Sequence, residues 1–401
     1  MKRETLAVHG GRDEFKKLGV HAAPLDRSTT YPVPDTKEGI LSLDGLAEGR
    51  LDVPNPIYAR LQNPTVDRFE KAFSELERAE ASVSFASGMA AVSACMLAVK
   101  DHGNHIVAVR PVYGTSDHLL ASGLLGFETT FTPPQRILEA IRPETALIFI
   151  ETPANPTLQL VDIADVVQQA GNIPVVVDST FATPILQRPL EQGVAMVLHS
   201  ATKYIGGHGD VMAGIVATSE GWARKLRQVR LMTGGILAPD VAYLAHRGLQ
   251  TLHIRVERAQ ENAKIVAEYL SKHKNVSRVY FPGMMGDEQD QIMRKQMSGP
   301  GTMMAFDVKG GFEAASAVMQ GTKMITPAVS LGSVDSLIQH PAGLTHRVVN
   351  PDAKKEMGIH DEMLRLSVGI ENVDDIISDL EQALDSASVF IKEAKENGVT
   401  V

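Results

Sequence analysis

The sequence predicts an α/β fold with two domains, in which a large domain has a mainly parallel sheet between helices and a smaller C-terminal α+β domain follows. Between residues 105 and 217, short apolar runs alternate with helical patterns, and this alternation is typical of a mainly parallel sheet covered on both faces. The chain has 401 residues, which exceeds the length at which one hydrophobic core stops growing. Changes in pattern near residues 60 and 255 predict a division into segments 1–60, 61–255 and 256–401.

The composition excludes several classes of partner. The 48 acidic residues outnumber the 39 basic ones, and the resulting net charge of −9 argues against nucleic-acid binding. The single cysteine, Cys95, cannot form an intrachain disulfide and fits a reducing compartment. The N-terminus lacks the apolar core of a signal peptide, and the longest apolar run, 90–99, is too short to cross a bilayer. We therefore expect a cytoplasmic protein with no membrane partner and, since no histidine spacing indicates one, no metal site.

The spacing of apolar residues predicts the elements of the large domain. A helix is predicted after Pro64, with Val66, Phe69 and Leu76 on one face, and a second helix is predicted to begin at Ser87. Six short runs are predicted as strands, with two intervening helices. The strands are 105–109, 128–131, 146–150, 175–177, 195–198 and 213–217, and the helices are 136–141 and 163–170.

The two ends of the chain differ from this alternation. Residues 1–60 are rich in glycine, proline, aspartate and threonine with little periodicity, so we expect an arm that packs on another surface, that of a neighbouring subunit. In the C-terminal domain, a long helix over 253–273 precedes strands over 276–281 and 302–308, with a Met/Gly-rich loop between the strands. A last helix is predicted to be capped by Asn372.

Polar side chains follow four of the predicted strands. Tyr113, Asn155, Asp178 and Lys203 each come shortly after a strand end, and ligands bind outside the carboxyl ends of parallel strands. A lysine and an aspartate that leave neighbouring strands toward one crevice suit a pyridoxal 5′-phosphate (PLP) site. There the lysine amine forms a Schiff base and the carboxylate holds a proton on the ring nitrogen.

A phosphate cradle is predicted at the start of the second helix. Ser87, Gly88 and Met89 lie where free backbone amides and the helix dipole favour an anion, and the glycine permits close approach. Ser200 and Thr202 add hydroxyl donors.

Each of these residues also has a simpler interpretation when it is taken alone. A lysine after a strand is usually a surface residue, and Asp178 is equally suited to capping a helix. Tyr113 is typical of a core residue, Asn155 of a turn, and Arg365 of an exposed position on a strand. The joint order of the residues favours the PLP site over these separate interpretations.

With these residues assembled, the chain resembles the Cys/Met-metabolism (transsulfuration) family of PLP enzymes, and within it methionine γ-lyase and cystathionine γ-lyase. The resemblance runs from the segment 58–65 to the segment 364–371. Its most specific motifs are Glu151-Thr-Pro-Ala-Asn-Pro-Thr157, His199-Ser-Ala-Thr-Lys-Tyr204 and Gln339-His-Pro-Ala-Gly-Leu-Thr-His346.

The resemblance implies a fold-type-I PLP enzyme and a role for each site residue. Lys203 is implied to be the Schiff-base lysine and proton shuttle, Asp178 to pair with the ring nitrogen, and Tyr113 to stack on the ring and assist proton transfer. Arg365 is implied to clamp the substrate carboxylate, helped by Asn155 and Ser330. The residues implied to bind the cofactor phosphate are Ser87, Gly88, Met89, Ser200 and Thr202, with Tyr58 and Arg60 reaching the phosphate of a neighbouring subunit. The family also implies a homotetramer made of two catalytic dimers.

Substrate preference is expected to depend on positions that vary within the family. Cystathionine-handling members carry a glutamate where this chain has Val329, which favours the methionine γ-lyase type. Thr115 replaces the cysteine typical of methionine γ-lyases, and Arg230 with Leu231 replaces their Lys-Asp pair.

We therefore predict a PLP-dependent C–S γ-lyase of sulfur amino acids, of the methionine γ-lyase or cystathionine γ-lyase type, that gives a thiol, ammonia and 2-oxobutanoate. Val329 and Thr115 are expected to contact the substrate. The alternative is a γ-replacement enzyme of the cystathionine γ-synthase or O-acylhomoserine sulfhydrylase type, which would use the same residues. A remote alternative is an inactive cofactor-binding relative.

Overall fold

A computed structural model, which describes residues 1–387, contains two sheets. The first has seven strands in the order β1-β7-β6-β5-β4-β2-β3, and the second has five in the order β10-β11-β12-β9-β8. The strands are β1 (Ala81–Phe85), β2 (His105–Val109), β3 (Glu128–Thr132), β4 (Thr145–Glu151), β5 (Val175–Asp178), β6 (Met196–Ser200), β7 (Gly214–Thr218), β8 (Val276–Tyr280), β9 (Met303–Val308), β10 (Thr326–Pro327), β11 (Leu337–Gln339) and β12 (Met363–Ser367).

Sixteen α-helices of residues 1–387 pack on these sheets and connect them. They are α1 (Arg3–His9), α2 (Phe15–Leu18), α3 (Thr36–Ala47), α4 (Pro64–Glu77), α5 (Gly88–Ala98), α6 (Gly114–Ser122), α7 (Ile137–Ala140), α8 (Ile163–Ala170), α9 (Thr183–Leu186), α10 (Glu220–Thr233), α11 (Pro239–Leu249), α12 (Leu252–Lys272), α13 (Asp287–Gln296), α14 (Gly311–Gly321), α15 (Pro351–Glu356) and α16 (Val373–Ser386).

The first sheet is mainly parallel. β3, β2, β4, β5 and β6 run in one direction, while β7 pairs antiparallel with both β6 and β1. Every residue of β2, β4 and β5 is buried, because helices cover both faces of the sheet. The prediction of an α/β fold with a mainly parallel sheet and a smaller second sheet is confirmed.

Local sequence explains where the site-bearing helices begin. The Asn63 side chain accepts from the amides of Thr65 and Val66 at the start of α4. Ser87 accepts from the amide of Ala90 at 3.1 Å and so caps α5. These caps satisfy amides that have no carbonyl four residues before them within the helix.

The second sheet places an arginine next to the first sheet. Arg365 lies in the middle of β12, paired with Ala305 of β9 on one side and Gln339 of β11 on the other. α12 and α16 pack against each other, and Asn372 caps α16 through the amide of Asp374 at 2.9 Å. The expected capping of the last helix is confirmed.

Two expectations about local structure were wrong. Residues 1–60, expected to have little periodicity, contain the helices α1, α2 and α3. The loop expected between residues 281 and 302 contains α13. The helix expected over 136–141 is confirmed as the single-turn α7, and a 3-10 turn, Pro134–Arg136, precedes it.

The division into segments 1–60, 61–255 and 256–401 stays a prediction, and its last residues lie outside the described part of the chain. Over residues 1–387, no helix is both long and apolar enough to cross a membrane.

Candidate active site

A cleft of ≈ 200 Å³ lies at the carboxyl edge of the first sheet, where the second sheet approaches it. Most of the residues singled out from the sequence line it together. They are Ser87, Gly88, Met89, Tyr113, Asn155, Asp178, Ser200, Thr202, Lys203, Val329, Ser330 and Arg365. The parallel direction of β2, β4, β5 and β6 brings their ends to this edge, since side chains that follow parallel strands emerge at the same side.

Lys203 lies in the turn that follows β6 and is partly buried. Its Nζ donates to Ser330 Oγ at 3.1 Å. Burial, with a smaller contribution from the positive charge of Arg365, lowers the pKa of Lys203 from 10.5 to about 8. The neutral amine, which is the nucleophilic and basic form, is therefore accessible near neutral pH.

Asp178 is the last residue of β5, and its carboxylate is buried. Its Oδ1 accepts from the backbone amide of Thr180 at 3.0 Å and from the Thr180 hydroxyl at 2.6 Å. Burial raises the pKa of Asp178, while these two hydrogen bonds and the nearby His199 oppose the rise. A buried carboxylate of this kind is stabilised by a cationic N–H partner.

The start of α5 forms a cradle beside the end of β6. Ser87 satisfies only the Ala90 amide, so the first amides of the helix, at Gly88 and Met89, have no acceptor within the helix. A Cβ on Gly88 would come within 3.1 Å of both Cβ and Oγ of Ser200, which is tighter than ordinary van der Waals contact. The site thus combines free amides, a hydroxyl and a glycine, which suits a phosphate group.

The hydroxyl of Thr202 is held by the backbone. It donates to the carbonyl of Ala213 at 3.2 Å and accepts from the amide of Ala213 at 3.0 Å. These bonds fasten the turn that carries Lys203 to the residue before β7.

Arg365 reaches the cleft from β12 and is 3 % exposed. Its Nη1 donates to Asn155 Oδ1 at 2.9 Å and its Nη2 to the Ser330 carbonyl at 2.8 Å. With the Gln339 amide turned so that its oxygen faces the guanidinium, that oxygen accepts from Arg365 Nη1 at 3.0 Å. Burial lowers the pKa of Arg365 to about 10, so the group stays charged at neutral pH and can bind a carboxylate.

One buried carboxylate of the cleft was not among the residues predicted from the sequence. Glu151, the last residue of β4, accepts from the Tyr113 amide through Oε2 at 2.6 Å and from the Asn155 amide through Oε1 at 2.8 Å. Burial and then the charge of Asp178 raise the pKa of Glu151 well above its usual value. Its position at the end of an apolar run, like that of Asp178, was the signal in the sequence.

Three residues predicted for the site lie outside this cleft. Tyr58 is 42 % exposed, and the Arg60 guanidinium lies over its ring at 5.6 Å and donates to the Leu231 carbonyl at 2.9 Å. Thr115 is exposed on α6. Met212, which the sequence did not single out, lines the cleft and is 66 % exposed.

The residues present fit PLP. Lys203 supplies an amine of lowered pKa for the aldehyde, and Asp178 a buried carboxylate for the ring nitrogen. The start of α5 with Ser200 supplies the phosphate cradle. Arg365 supplies a charged group for a substrate carboxylate.

Comparison with known proteins agrees with this fit. A family model described as "Cys/Met metabolism PLP-dependent enzyme" matches residues 4–385. The L-methionine gamma-lyase of Brevibacterium sandarakinum is 50 % identical over 390 residues, which cover 96 % of this chain and 98 % of that protein.

Solved structures of the same kind superpose closely. Cystathionine gamma synthase from Xanthomonas oryzae pv. oryzae, in complex with cystathionine, gives a TM-score of 0.89 at 34 % identity and covers 97 % of this chain and 99 % of that one. Cystathionine gamma-lyase from Lactobacillus plantarum, complexed with L-serine, gives 0.87 at 34 % identity, with 97 % and 100 % covered. The chain therefore belongs to the Cys/Met-metabolism family of PLP-dependent enzymes, and its cofactor is pyridoxal 5′-phosphate.

Proposed function

We propose that the protein is a PLP-dependent C–S γ-lyase whose preferred substrate is methionine, from which it gives methanethiol, ammonia and 2-oxobutanoate. The observation that carries the proposal is the contrast within one cleft between a charged receptor, Arg365, and an apolar mouth, Val329 and Met212. Methionine has the matching form, with a carboxylate at one end and an uncharged thioether at the other. The relative that is 50 % identical is an L-methionine gamma-lyase, which supports this choice.

Lys203 moves the protons of the reaction. When bound, PLP supplies an electron-withdrawing ring that acidifies the substrate α-carbon. The Lys203 amine takes the proton from Cα, gives that proton up to the bound cofactor and, neutral again, takes a second proton from Cβ. Loss of the Cβ proton lets the γ-thiolate depart, and the thiolate takes up a proton. Water then releases the remaining carbon chain as 2-oxobutanoate and ammonia. Its pKa of about 8 suits both directions of transfer, because a general base works best when its pKa is near the operating pH.

Arg365 binds and orients the substrate. Its two hydrogen bonds, to Asn155 Oδ1 and the Ser330 carbonyl, hold the guanidinium plane in place. A guanidinium fixed in this way can donate two parallel hydrogen bonds to a carboxylate. Ser330 accepts from Lys203 as well, so the carboxylate receptor and the base are coupled through one residue.

The side chains at the mouth of the cleft favour a substrate with an uncharged γ-substituent. Val329 and Met212 are exposed there and offer no charge to a second amino-acid head group. A methyl thioether loses little hydration free energy when it contacts these side chains. A charged head group would lose much more, because it would be desolvated without a partner of opposite charge.

The experiment supplies purified holoenzyme with methionine, cystathionine, cysteine and an O-acylhomoserine plus a thiol. The products measured are 2-oxobutanoate, pyruvate and thioether. We expect 2-oxobutanoate from methionine, with a higher kcat/KM than from cystathionine. Formation of thioether alone would establish the γ-replacement alternative, and cofactor binding without any product would establish the inactive relative.

We also propose that the protein works in the cytoplasm as a homotetramer in which Tyr58 and Arg60 contact the phosphate in a neighbouring subunit. Their position outside their own cleft supports this arrangement, and the single cysteine supports a reducing compartment. Light scattering of the holoenzyme tests the assembly. Arg60→Ala is expected to raise the dissociation constant for PLP, and an unchanged constant would contradict the role of the arm.

A further inference from the structure

We propose that Glu151 is a positioning residue. Its carboxylate fastens the segment that carries Tyr113 to the segment that carries Asn155. This connection fixes the position of the substrate between the PLP ring and the carboxylate receptor, Arg365. This inference rests on the proposed function and adds to it a residue that touches neither the reacting atoms nor the substrate carboxylate.

The contacts of Glu151 lead to this role. Oε2 accepts from the Tyr113 amide at 2.6 Å, and Oε1 accepts from the Asn155 amide at 2.8 Å. The side chain is 5 % exposed and lines the cleft. One carboxylate therefore joins two segments that follow different strands, β2 and β4, at the edge where the cleft lies.

Each end of this connection leads to a group with a proposed role. Tyr113 directly precedes α6, so its amide fixes how the chain enters that helix. Asn155 accepts from Arg365 Nη1 through its side chain at 2.9 Å. Displacement of the Glu151 carboxylate would therefore move the stacking tyrosine and, through Asn155, the guanidinium.

The chemistry requires a carboxylate at this position. Both partners are N–H donors, so both oxygens of the side chain must accept. A glutamine of the same shape presents an oxygen to one donor and its own NH₂ group to the other. Burial keeps water from filling the gap, so Glu151→Gln breaks one of the two contacts while it preserves volume.

A second carboxylate offers a matched control. Asp379 of α16 accepts from the backbone amides of Lys323, Met324 and Ile325 at 2.8–2.9 Å and is 7 % exposed. It does not line the cleft. Asp379→Asn therefore disturbs a buried carboxylate–amide contact of the same chemistry without touching the substrate site.

The experiment compares Glu151→Gln with Asp379→Asn in the holoenzyme. The measurements are Tm, the dissociation constant for PLP, the visible absorbance of the bound cofactor, and kcat and KM for methionine. For Glu151→Gln we expect kcat/KM to fall about 10²-fold, since misplacement by about 1 Å has an effect of that order. For Asp379→Asn we expect a lower Tm with kcat/KM within about twofold of wild type, since distant sites are energetically independent.

A double-mutant cycle separates positioning from a general loss of structure. If Glu151 acts through Asn155, the effect of Glu151→Gln on kcat/KM shrinks when Asn155 is already alanine. Glu151→Asp, which keeps the charge and shortens the reach, provides a folded variant if the glutamine does not fold, and it is expected to lose activity in the same direction.

Two results would overturn the inference. One is a Glu151→Gln or Glu151→Asp enzyme with wild-type kcat/KM, and the other is an equal loss of activity in Asp379→Asn at the same loss of Tm. Failure of the proposed function looks different, because wild-type enzyme would then release no 2-oxo acid from methionine. In that case the absorbance and the PLP dissociation constant still report whether Glu151→Gln alters the site.

Discussion

The floor and the mouth of the cleft differ in how their residues are held. On the floor, Glu151, Asp178 and Arg365 are buried and each makes at least two hydrogen bonds of defined length. At the mouth, Val329 and Met212 are 55 % and 66 % exposed. The side chains of the floor are therefore held in place by hydrogen bonds, whereas those at the mouth can be substituted without loss of such bonds.

The largest effect is expected from Lys203→Ala, at a partly buried residue of the same cleft. Loss of the amine removes both the attachment point for PLP and the base, so turnover should fall by about 10⁴-fold or more. The rate of 2-oxobutanoate formation measures the loss of turnover, and the visible absorption spectrum measures the loss of the PLP attachment. Lys225→Ala, which removes a lysine paired with Asp101 at the surface, serves as the control. A Lys203→Ala protein that kept the wild-type spectrum would contradict the Schiff-base role.

A smaller but still large effect is expected from Arg365→Lys. Lysine keeps the charge but cannot bond both Asn155 and Ser330 while it also binds a carboxylate in two places. We expect kcat/KM for methionine to fall about 10²-fold, mainly through KM. An equal KM in the two enzymes would show that the receptor lies elsewhere. As a control, binding of 3-methylthiopropylamine, which lacks the carboxylate, should change little.

The lowered pKa of Lys203 also predicts that the rate of cofactor capture depends on pH. Below about pH 8, Lys203 is mainly the ammonium form, and above it mainly the neutral amine. Because only the neutral amine attacks an aldehyde, the rate at which apoenzyme captures PLP should rise about tenfold per pH unit below this pKa and then level off. Stopped-flow absorbance between pH 6 and 10 measures it. A plateau reached only near the ordinary pKa of 10.5 would contradict the effect of burial.

The smallest effect is expected at the mouth. Val329→Glu introduces a charge that can meet the ammonium group of cystathionine, so the ratio of kcat/KM for cystathionine to that for methionine should rise about fivefold to tenfold. Because Val329 is exposed, stability should stay within about 0.5 kcal/mol of wild type. Val329→Thr is the uncharged control. An unchanged ratio would mean that the mouth does not select the substrate.

Most of the first sheet could be predicted because β2, β4, β5, β6 and β7 are short, mainly apolar runs. α13 could not, since only Ile292 and Met293 among its ten residues are apolar, so no stripe of apolar residues marks it. Its helix is instead favoured by acidic residues in the first turn and basic residues in the last. Contacts from Gln289 and Gln296 to the chain at Leu160 and Val161 then hold it in place.

The residues of the candidate site also differ in how far the sequence alone could predict them. Asp178 and Lys203 could be placed because strand direction alone brings them to one edge. Strand direction places Glu151 at the same edge, but its role could not be predicted. That role depends on the backbone amides of Tyr113 and Asn155, and a sequence does not reveal where amides point. Thr115 was expected near the substrate because it replaces a cysteine of methionine γ-lyases; it lies exposed on α6, outside the cleft, and its contact with the substrate stays a prediction.

The position of Arg365 has a consequence for how the enzyme is made. The arginine contacts Asn155 across 210 residues of sequence, and β12 needs β9 and β11 on either side before it is held. The cleft residues that follow β2, β4, β5 and β6 leave the ribosome well before this strand emerges. The residues that line the cleft can therefore come together only after β12 has been synthesised, late in the chain.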